Sequence, residues 1–329
     1  MKVKLPTSKD VVAARKRIGD HVDVTPIFSS VVLDDIAGAN LLIKAECLQG
    51  TGSFKLRGAT NRLLQIPKKN RENGVVALSS GNHAQGVARA ARRLGIPALI
   101  VMPSDAPDVK TEGVINDGAE VRLYDRETEN REEIAAEIAR ERGAVLVPSY
   151  DDPMIIAGQG TVGLEIADQA KARGKSLDHL ICCTGGGGLI SGIALALEKV
   201  SPETKIWTAE PEGHEDWKRS LEAGSIQSNA PGVRSVCDAI LTPKPGEITW
   251  PIGSARLAGG CAVTDQHAYE AMRIVFRQLR IVVEPGGAVA LASALFRLPE
   301  EAKGKTVGVI LTGGNVDAKL FAKVLDRTV

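Results

Sequence analysis

Short apolar runs alternate with longer helical patterns from about residue 40 to the end of this 329-residue chain, and nothing else in the sequence narrows its fold as much. A strand followed by a helix and then another strand implies a crossover, so the pattern calls for a parallel-rich sheet covered by helices. Residues 75–78, 98–102, 120–124 and 144–147 read as strands, and 82–94 and 128–142 read as helices. This compact series, residues 73–148, is expected to form a smaller inserted lobe. Residues 1–50 and 149–329 are expected to form a larger lobe, with 51–72 as the connector. The chain is long enough for two such lobes.

Three expected strand-to-helix junctions carry polar or glycine-rich loops. Ser79-Ser80-Gly81-Asn82-His83 follows Val75-Val76-Ala77-Leu78 and opens an alanine-rich helix. Thr184-Gly185-Gly186-Gly187-Gly188-Leu189 follows His179-Leu180-Ile181-Cys182-Cys183, and Thr312-Gly313-Gly314-Asn315 follows Val307-Gly308-Val309-Ile310-Leu311. Ligands of α/β proteins collect at the carboxyl ends of strands, so one pocket would gather all three loops. The run Gly185, Gly186, Gly187 and Gly188 offers backbone N–H groups at a helix N-terminus with no Cβ atoms in the way, a cradle suited to a phosphate dianion. It lacks the Gly-Lys-Ser/Thr ending of a nucleoside triphosphate loop.

Ser53-Phe54-Lys55-Leu56-Arg57-Gly58 places a lysine at the mouth of a predicted helix, with Ser53 expected as its N-cap. The partial positive charge of a helix N-terminus disfavours a protonated amine, and burial lowers its pKa further. A lysine so placed is a good Schiff-base former. Gly158-Gln159-Gly160-Thr161-Val162-Gly163 matches the dinucleotide fingerprint, but its context is wrong. Pro153 lies just upstream, only Met154-Ile155-Ile156 would serve as a strand, and Asp178 precedes a strand rather than ending one. Tight helix–sheet packing is the expected use of these glycines.

With a formal net charge of +1 and neither a basic face nor a polybasic tract, nothing points to nucleic acid or a membrane surface. No stretch is apolar enough to span a bilayer and the start lacks the apolar core of a signal peptide, so a cytoplasmic address is expected. Cys47, Cys182, Cys183, Cys237 and Cys261 show no metal spacing and read as unpaired structural thiols. Cys182 and Cys183 should point to opposite faces of a buried strand. The connection 227–251 is long and turn-rich, which suggests a function for it.

Taken together, the motifs S-F-K-x-R-G, S-S-G-N-H, A-G-Q-G-T, G-G-G-G-L, A-E-P and T-G-G-N, in this order and spacing along nearly the whole chain, resemble the threonine dehydratase and serine racemase family. These are pyridoxal 5'-phosphate enzymes of the tryptophan-synthase-β-like fold (fold type II). The resemblance implies an α/β molecule of two lobes, each a mostly parallel sheet flanked by helices, with the larger holding the cofactor and the smaller closing over substrate. It also implies a homodimer.

Carried over residue by residue, the resemblance gives Lys55 the Schiff base and then the removal of the Cα proton. The loop from Gly185 to Leu189 would hold the cofactor phosphate, Phe54 would pack on the ring and Asn82 would meet its 3′-oxygen. Thr312 would meet the ring nitrogen. A hydroxyl there does not protonate the nitrogen as a carboxylate does, which favours prompt loss of a β-substituent over transamination. An ordinary strand-end hydroxyl is the other reading of Thr312. Ser79, Ser80, Gly81, Asn82 and His83 would receive the substrate carboxylate, although His83 reads equally well as a structural ring. The cofactor phosphate is the expected proton donor to the leaving β-hydroxyl.

Ser80 stands where threonine-type dehydratases commonly carry alanine and where serine racemases and hydroxyaspartate dehydratases carry serine. Its hydroxyl would either return a proton to Cα or only bind carboxylate. Ala209-Glu210-Pro211, His214 and Asp216 resemble the divalent-metal site of the racemase branch, with Glu210 and Asp216 giving carboxylates and His214 its backbone carbonyl. Magnesium is the first candidate ion, with calcium or manganese as the others, and a solvated acidic loop is the plain alternative. Arg131 would either meet a second substrate carboxylate or stay solvated in its charged helix. Ala230-Pro231-Gly232-Val233 and Arg234-Ser235-Val236-Cys237-Asp238 depart from the family pattern, and no feedback control by isoleucine is expected.

The expected activity is therefore that of an ammonia-lyase converting L-threonine or L-serine to a 2-oxo acid and ammonia. A 3-hydroxyaspartate dehydratase comes next, on Ser80 and Arg131, and a serine racemase third. A non-catalytic cofactor-binding protein on the same fold is disfavoured by the intact Lys55, Asn82 and Thr312, and a nicotinamide oxidoreductase by the context of Gly158.

Overall fold

The computed structural model describes residues 3–106 and 108–329. Its strands are β1 (Ile27–Phe28), β2 (Asn40–Ala45), β3 (Val75–Leu78), β4 (Ala98–Pro103), β5 (Glu120–Tyr124), β6 (Val145–Leu146), β7 (His179–Cys183), β8 (Lys205–Pro211), β9 (Leu257–Val263) and β10 (Thr306–Leu311). They form a six-stranded sheet in the order β1-β2-β10-β7-β8-β9 and a four-stranded sheet in the order β5-β4-β3-β6. Every pairing is parallel except β1 with β2.

Buried parallel strands are apolar on both faces because helices cover both. On β7, Leu180 and Cys182 enter one core cluster while Ile181 and Cys183 enter another on the opposite face. The five cysteines are buried and free. The Asn82–Leu94 helix has the bounds its pattern predicts. The helix expected from residue 128 starts instead at Arg131, because the Asn130 side chain accepts the N–H groups of Glu132 and Glu133 and caps it. Among the described residues, no helix is long and apolar enough to cross a membrane.

Glycine contacts seat the lysine-bearing helix, Lys55–Leu64. A Cβ on Gly158 would lie 2.7 Å from the Cα of Gly58, and one on Gly160 would lie 2.5 Å from the carbonyl of Gly192. These glycines let helices approach one another, which corrects the expected helix–sheet packing. Residues 154–156, the only candidate strand before the fingerprint, lie in the Pro153–Gln159 helix.

A buried charge cluster fixes the same helix from behind. Arg57 Nε donates to Glu46 Oε2 at 2.7 Å and its Nη1 to Glu165 Oε1 at 2.6 Å, while Lys44 Nζ donates to Glu165 Oε2 at 2.7 Å. Two cations and two carboxylates balance one another, with Arg57, Lys44 and Glu46 fully buried. Removing one partner of such a cluster costs about 3–5 kcal/mol, because a buried charge is left uncompensated.

Candidate active site

The carboxyl ends of β3, β7 and β10 open onto one cavity of about 560 Å³, lined by Lys55, the 79–83 loop, the 184–190 segment, Thr312 and Arg131. Lys55 is the first residue of its helix, and Nζ donates to the Ser149 carbonyl at 2.8 Å. The amine stands 5.2 Å from the centre of the Phe54 ring. Burial lowers its pKa to about 8, against the opposing pull of the Glu284 carboxylate. Such an amine is neutral far more often near pH 7 than a surface lysine.

Ser53 is not the N-cap. Phe54, in helical geometry, precedes Lys55, and Ser53 pairs through its backbone with Gly313. That bridge ties the lysine to the end of β10, and the Ser53 hydroxyl is buried without a partner among the described residues.

The glycine loop has no room for side chains. Gly187 has φ +92°, and a Cβ on it would lie 2.1 Å from the Trp217 ring. A Cβ on Gly186 would meet the Tyr150 ring at 2.3 Å. The Gly186 carbonyl accepts from Thr249 Oγ1 at 2.7 Å, and the Gly188–Val200 helix begins at once, with Leu189 buried beneath it. This is a shaped anion cradle made of backbone. Thr312, also buried, lies against the Cys183 thiol at the end of β10.

Across the cavity, Ser79 Oγ accepts the Gly81 N–H at 3.1 Å, and the Asn82–Leu94 helix starts with its N-terminus toward the site. Asn82 Nδ2 donates to Glu284 Oε1 at 2.5 Å, and Asn82 Oδ1 accepts from Asn315 Nδ2 at 2.7 Å. His83 Nε2 bonds the Val147 carbonyl at 2.9 Å. Burial and the nearby Lys55 charge push the His83 pKa down to about 3, so the ring is neutral and Nε2 carries the proton. That bond answers to the structural reading of His83. Arg131 stands at the mouth, its side chain 53% exposed and paired with Glu132 at 2.8 Å.

The acidic cluster lies behind the cradle. Glu210 accepts the N–H groups of Trp217 and Lys218 at 2.8 and 2.9 Å and the Thr208 hydroxyl at 3.0 Å. Asp216 accepts Asn229 Nδ2 at 2.7 Å, while its other oxygen, and one oxygen of Glu215, are buried without partners among the described residues. Burial, with Asp216 beside it, drives the Glu210 carboxyl far above its usual range, and burial raises Asp216 to about 7. The His214 ring is turned to the Val233 carbonyl at 3.1 Å. Among the described residues, no three His, Cys, Asp or Glu side chains converge as a ligand set, so a cation here would need backbone carbonyls as well.

Among the cavity residues that escaped the sequence reading are Ser149, Tyr150, Glu284 and, in the 238–243 segment, Asp238. Only the last had a signal, the length of the 227–251 connection.

The family model described as "Pyridoxal-phosphate dependent enzyme" matches residues 18–313. The chain is 43% identical over 324 residues to an L-threo-3-hydroxyaspartate ammonia-lyase of Pseudomonas sp, covering 98% of this chain and 99% of that one. A solved structure of maize serine racemase superposes with a TM-score of 0.92 at 36% identity, covering 99% and 98% of the two chains. Another, a threonine deaminase from T.th., gives 0.87 at 43% identity, covering 95% and 99%. The chain belongs to the pyridoxal-phosphate-dependent enzymes, and its two mostly parallel, helix-covered sheets are those of their fold type II.

Proposed function

We propose that this enzyme is an ammonia-lyase whose substrate is 3-hydroxyaspartate, converted to a 2-oxo acid and ammonia. One observation carries the reading. The cavity that contains Lys55 has two further places for an anion, the N-terminus of the Asn82–Leu94 helix and the Arg131 guanidinium. An amino acid with a second carboxylate uses both. The Pseudomonas relative named for this substrate supports it.

The residues fit pyridoxal phosphate. The 185–188 cradle, where any Cβ would collide with Ile240, Tyr150 or Trp217, would hold its phosphate, and Phe54, Asn82 and Thr312 would meet its ring, its 3′-oxygen and its nitrogen. When bound through Lys55, the group supplies the electron sink that makes the substrate Cα proton acidic. Lys55 Nζ, once displaced by substrate, takes that proton, and the Ser149 carbonyl keeps the amine aimed. The 79–82 segment orients the α-carboxylate with backbone N–H groups and the hydroxyls of Ser79 and Ser80. Closure of residues 73–148 over the substrate would exclude water from the reacting centre. A divalent cation, magnesium first, would sit on Glu210, Asp216 and the His214 carbonyl, where the oxygens of Asp216 and Glu215 that lack partners among the described residues favour it. Its role would be to seat Trp217 behind Gly187. Added magnesium should raise the melting temperature and a chelator should lower it; equal melting in both would remove the ion. A cytoplasmic homodimer completes the reading, with light scattering as the check on assembly.

A second reading keeps L-threonine or L-serine as substrate, favoured by the bond Arg131 already makes to Glu132 and by the T.th. threonine deaminase. The assay is 2-oxo acid and ammonia release from L-threo- and L-erythro-3-hydroxyaspartate, L-threonine and L-serine, with chiral analysis of recovered serine. Preference for a hydroxyaspartate supports the proposal; preference for threonine or serine replaces it with the second reading. Racemised serine without elimination would make Ser80 an acid–base residue and the enzyme a racemase.

A further inference from the structure

The segment 149–152 is anchored at nearly every residue. The Ser149 carbonyl accepts Lys55 Nζ at 2.8 Å. The Asp151 carboxylate accepts the N–H groups of Glu247, Ile248 and Thr249 at 2.9, 2.8 and 3.2 Å. Asp152 caps the Pro153–Gln159 helix through the N–H groups of Met154 and Ile155 at 2.7 and 3.0 Å. Tyr150 is held between these anchors, its ring against Gly186 and its backbone against Gly188.

The phenol hydroxyl takes no part in this anchoring. It has no hydrogen-bond partner among the described residues, and Tyr150 lines the same cavity as Lys55, Ser80 and Arg131. Burial and the charges of Asp151 and Asp216 raise its pKa, while Arg131 acts in the opposite sense. At neutral pH the group is therefore an O–H donor, within Coulombic reach of the guanidinium. A rigid segment that sets one unengaged donor on the wall of a cavity that Arg131 also lines is suited to meet an anion there.

We propose that Tyr150 is a specificity residue, its hydroxyl donating a hydrogen bond to the distal carboxylate of the substrate beside Arg131. This rests on the 3-hydroxyaspartate reading. Threonine and serine have no group for that bond, so Tyr150 separates the diacid from them by the hydroxyl alone.

The test is Tyr150→Phe in the cofactor-loaded enzyme, since phenylalanine keeps the ring against Gly186. Steady-state kinetics with L-threo-3-hydroxyaspartate and L-serine are paired with calorimetric titration of malonate, a dicarboxylate that cannot react. The KM for the hydroxyaspartate should rise roughly tenfold to a hundredfold, the range for a hydrogen bond to a charged group. Its kcat should hold, malonate should weaken in parallel, and the serine parameters and cofactor content should not move. Equal losses with both substrates, or loss of cofactor, would make the hydroxyl a phosphate contact and overturn the proposal. An unchanged preference for the diacid would also overturn it, leaving the substrate reading intact. A wild type with no preference for the diacid would overturn both.

Discussion

The 184–188 and 79–83 loops share one design, a parallel strand ending in a polar turn that opens a helix, yet they are sealed very differently. Behind the first, Tyr150, Trp217 and Thr249 press so closely that a Cβ on Gly187 would lie 2.1 Å from the Trp217 ring. Around Gly81 in the second, an added Cβ would meet none of the described residues within 4 Å. The helix after the first loop is buried from Gly188 through Leu197, whereas residues 79–82 are only half-buried. The cradle made of backbone is a fixed mould, suited to a group that never leaves. The loop made of side chains has room to move, suited to a group that arrives and departs. Cofactor affinity should therefore reside on the sealed side, and substrate selection on the open side together with the hydroxyl of Tyr150, whose ring backs the cradle.

Lys55 stands between the two, so its loss should be the largest effect. Lys55→Ala should cut elimination by about 10⁴-fold or more while the fold melts as before, checked by product release and thermal unfolding. Residual activity near wild type would move the chemistry elsewhere.

The sharpest way to break the comparison is a pair of alanines. Gly187→Ala meets both a positive φ and the Trp217 ring, and should destabilise by about 3 kcal/mol and lose the cofactor absorbance. Gly81→Ala should keep both cofactor and stability. If the two variants behave alike, the distinction between sealed and open loops is wrong.

A smaller effect follows from the lysine's depressed pKa. In the cofactor-free protein, Lys55 sits near 8 rather than at its ordinary 10.5. Below about 8 both folded and unfolded states hold the proton and the burial penalty is present in full. As pH rises from 8 toward 10.5, the unfolded state binds more protons, so this group's contribution to stability improves across that window. Lys55→Met should flatten that part of the stability profile. The rate at which cofactor-free enzyme takes up pyridoxal phosphate should likewise rise with an inflection near 8, followed by absorbance. An inflection near 10.5 would mean a solvated amine.

The sealed side was legible in the sequence and the open side only partly so. A backbone cradle with a positive φ and rings packed behind it admits glycine alone, and four consecutive glycines after an apolar run record that constraint directly. Lys55 was legible for a related reason, as a charged residue beside glycines where a helix had to begin. The cap went wrong because Phe54 already has helical geometry and Ser53 is committed to Gly313, a distant pairing that no local pattern encodes. Tyr150 and Glu284 were missed for the same reason: their neighbours, Gly186 and Asn82, meet them only through the fold. The fingerprint at Gly158 begins within a helix rather than after a strand, and its glycines serve helix–helix contact rather than the expected helix–sheet packing, since local sequence does not say what packs against it.

The most direct test of the account is the ratio of kcat/KM for L-threo-3-hydroxyaspartate to that for L-threonine, in the wild type and in Arg131→Ala. The account predicts a wild-type preference for the diacid that falls by roughly tenfold to a hundredfold in the variant, with the threonine value unchanged. A ratio that the substitution leaves untouched would contradict it, and would return Arg131 to the surface with Glu132.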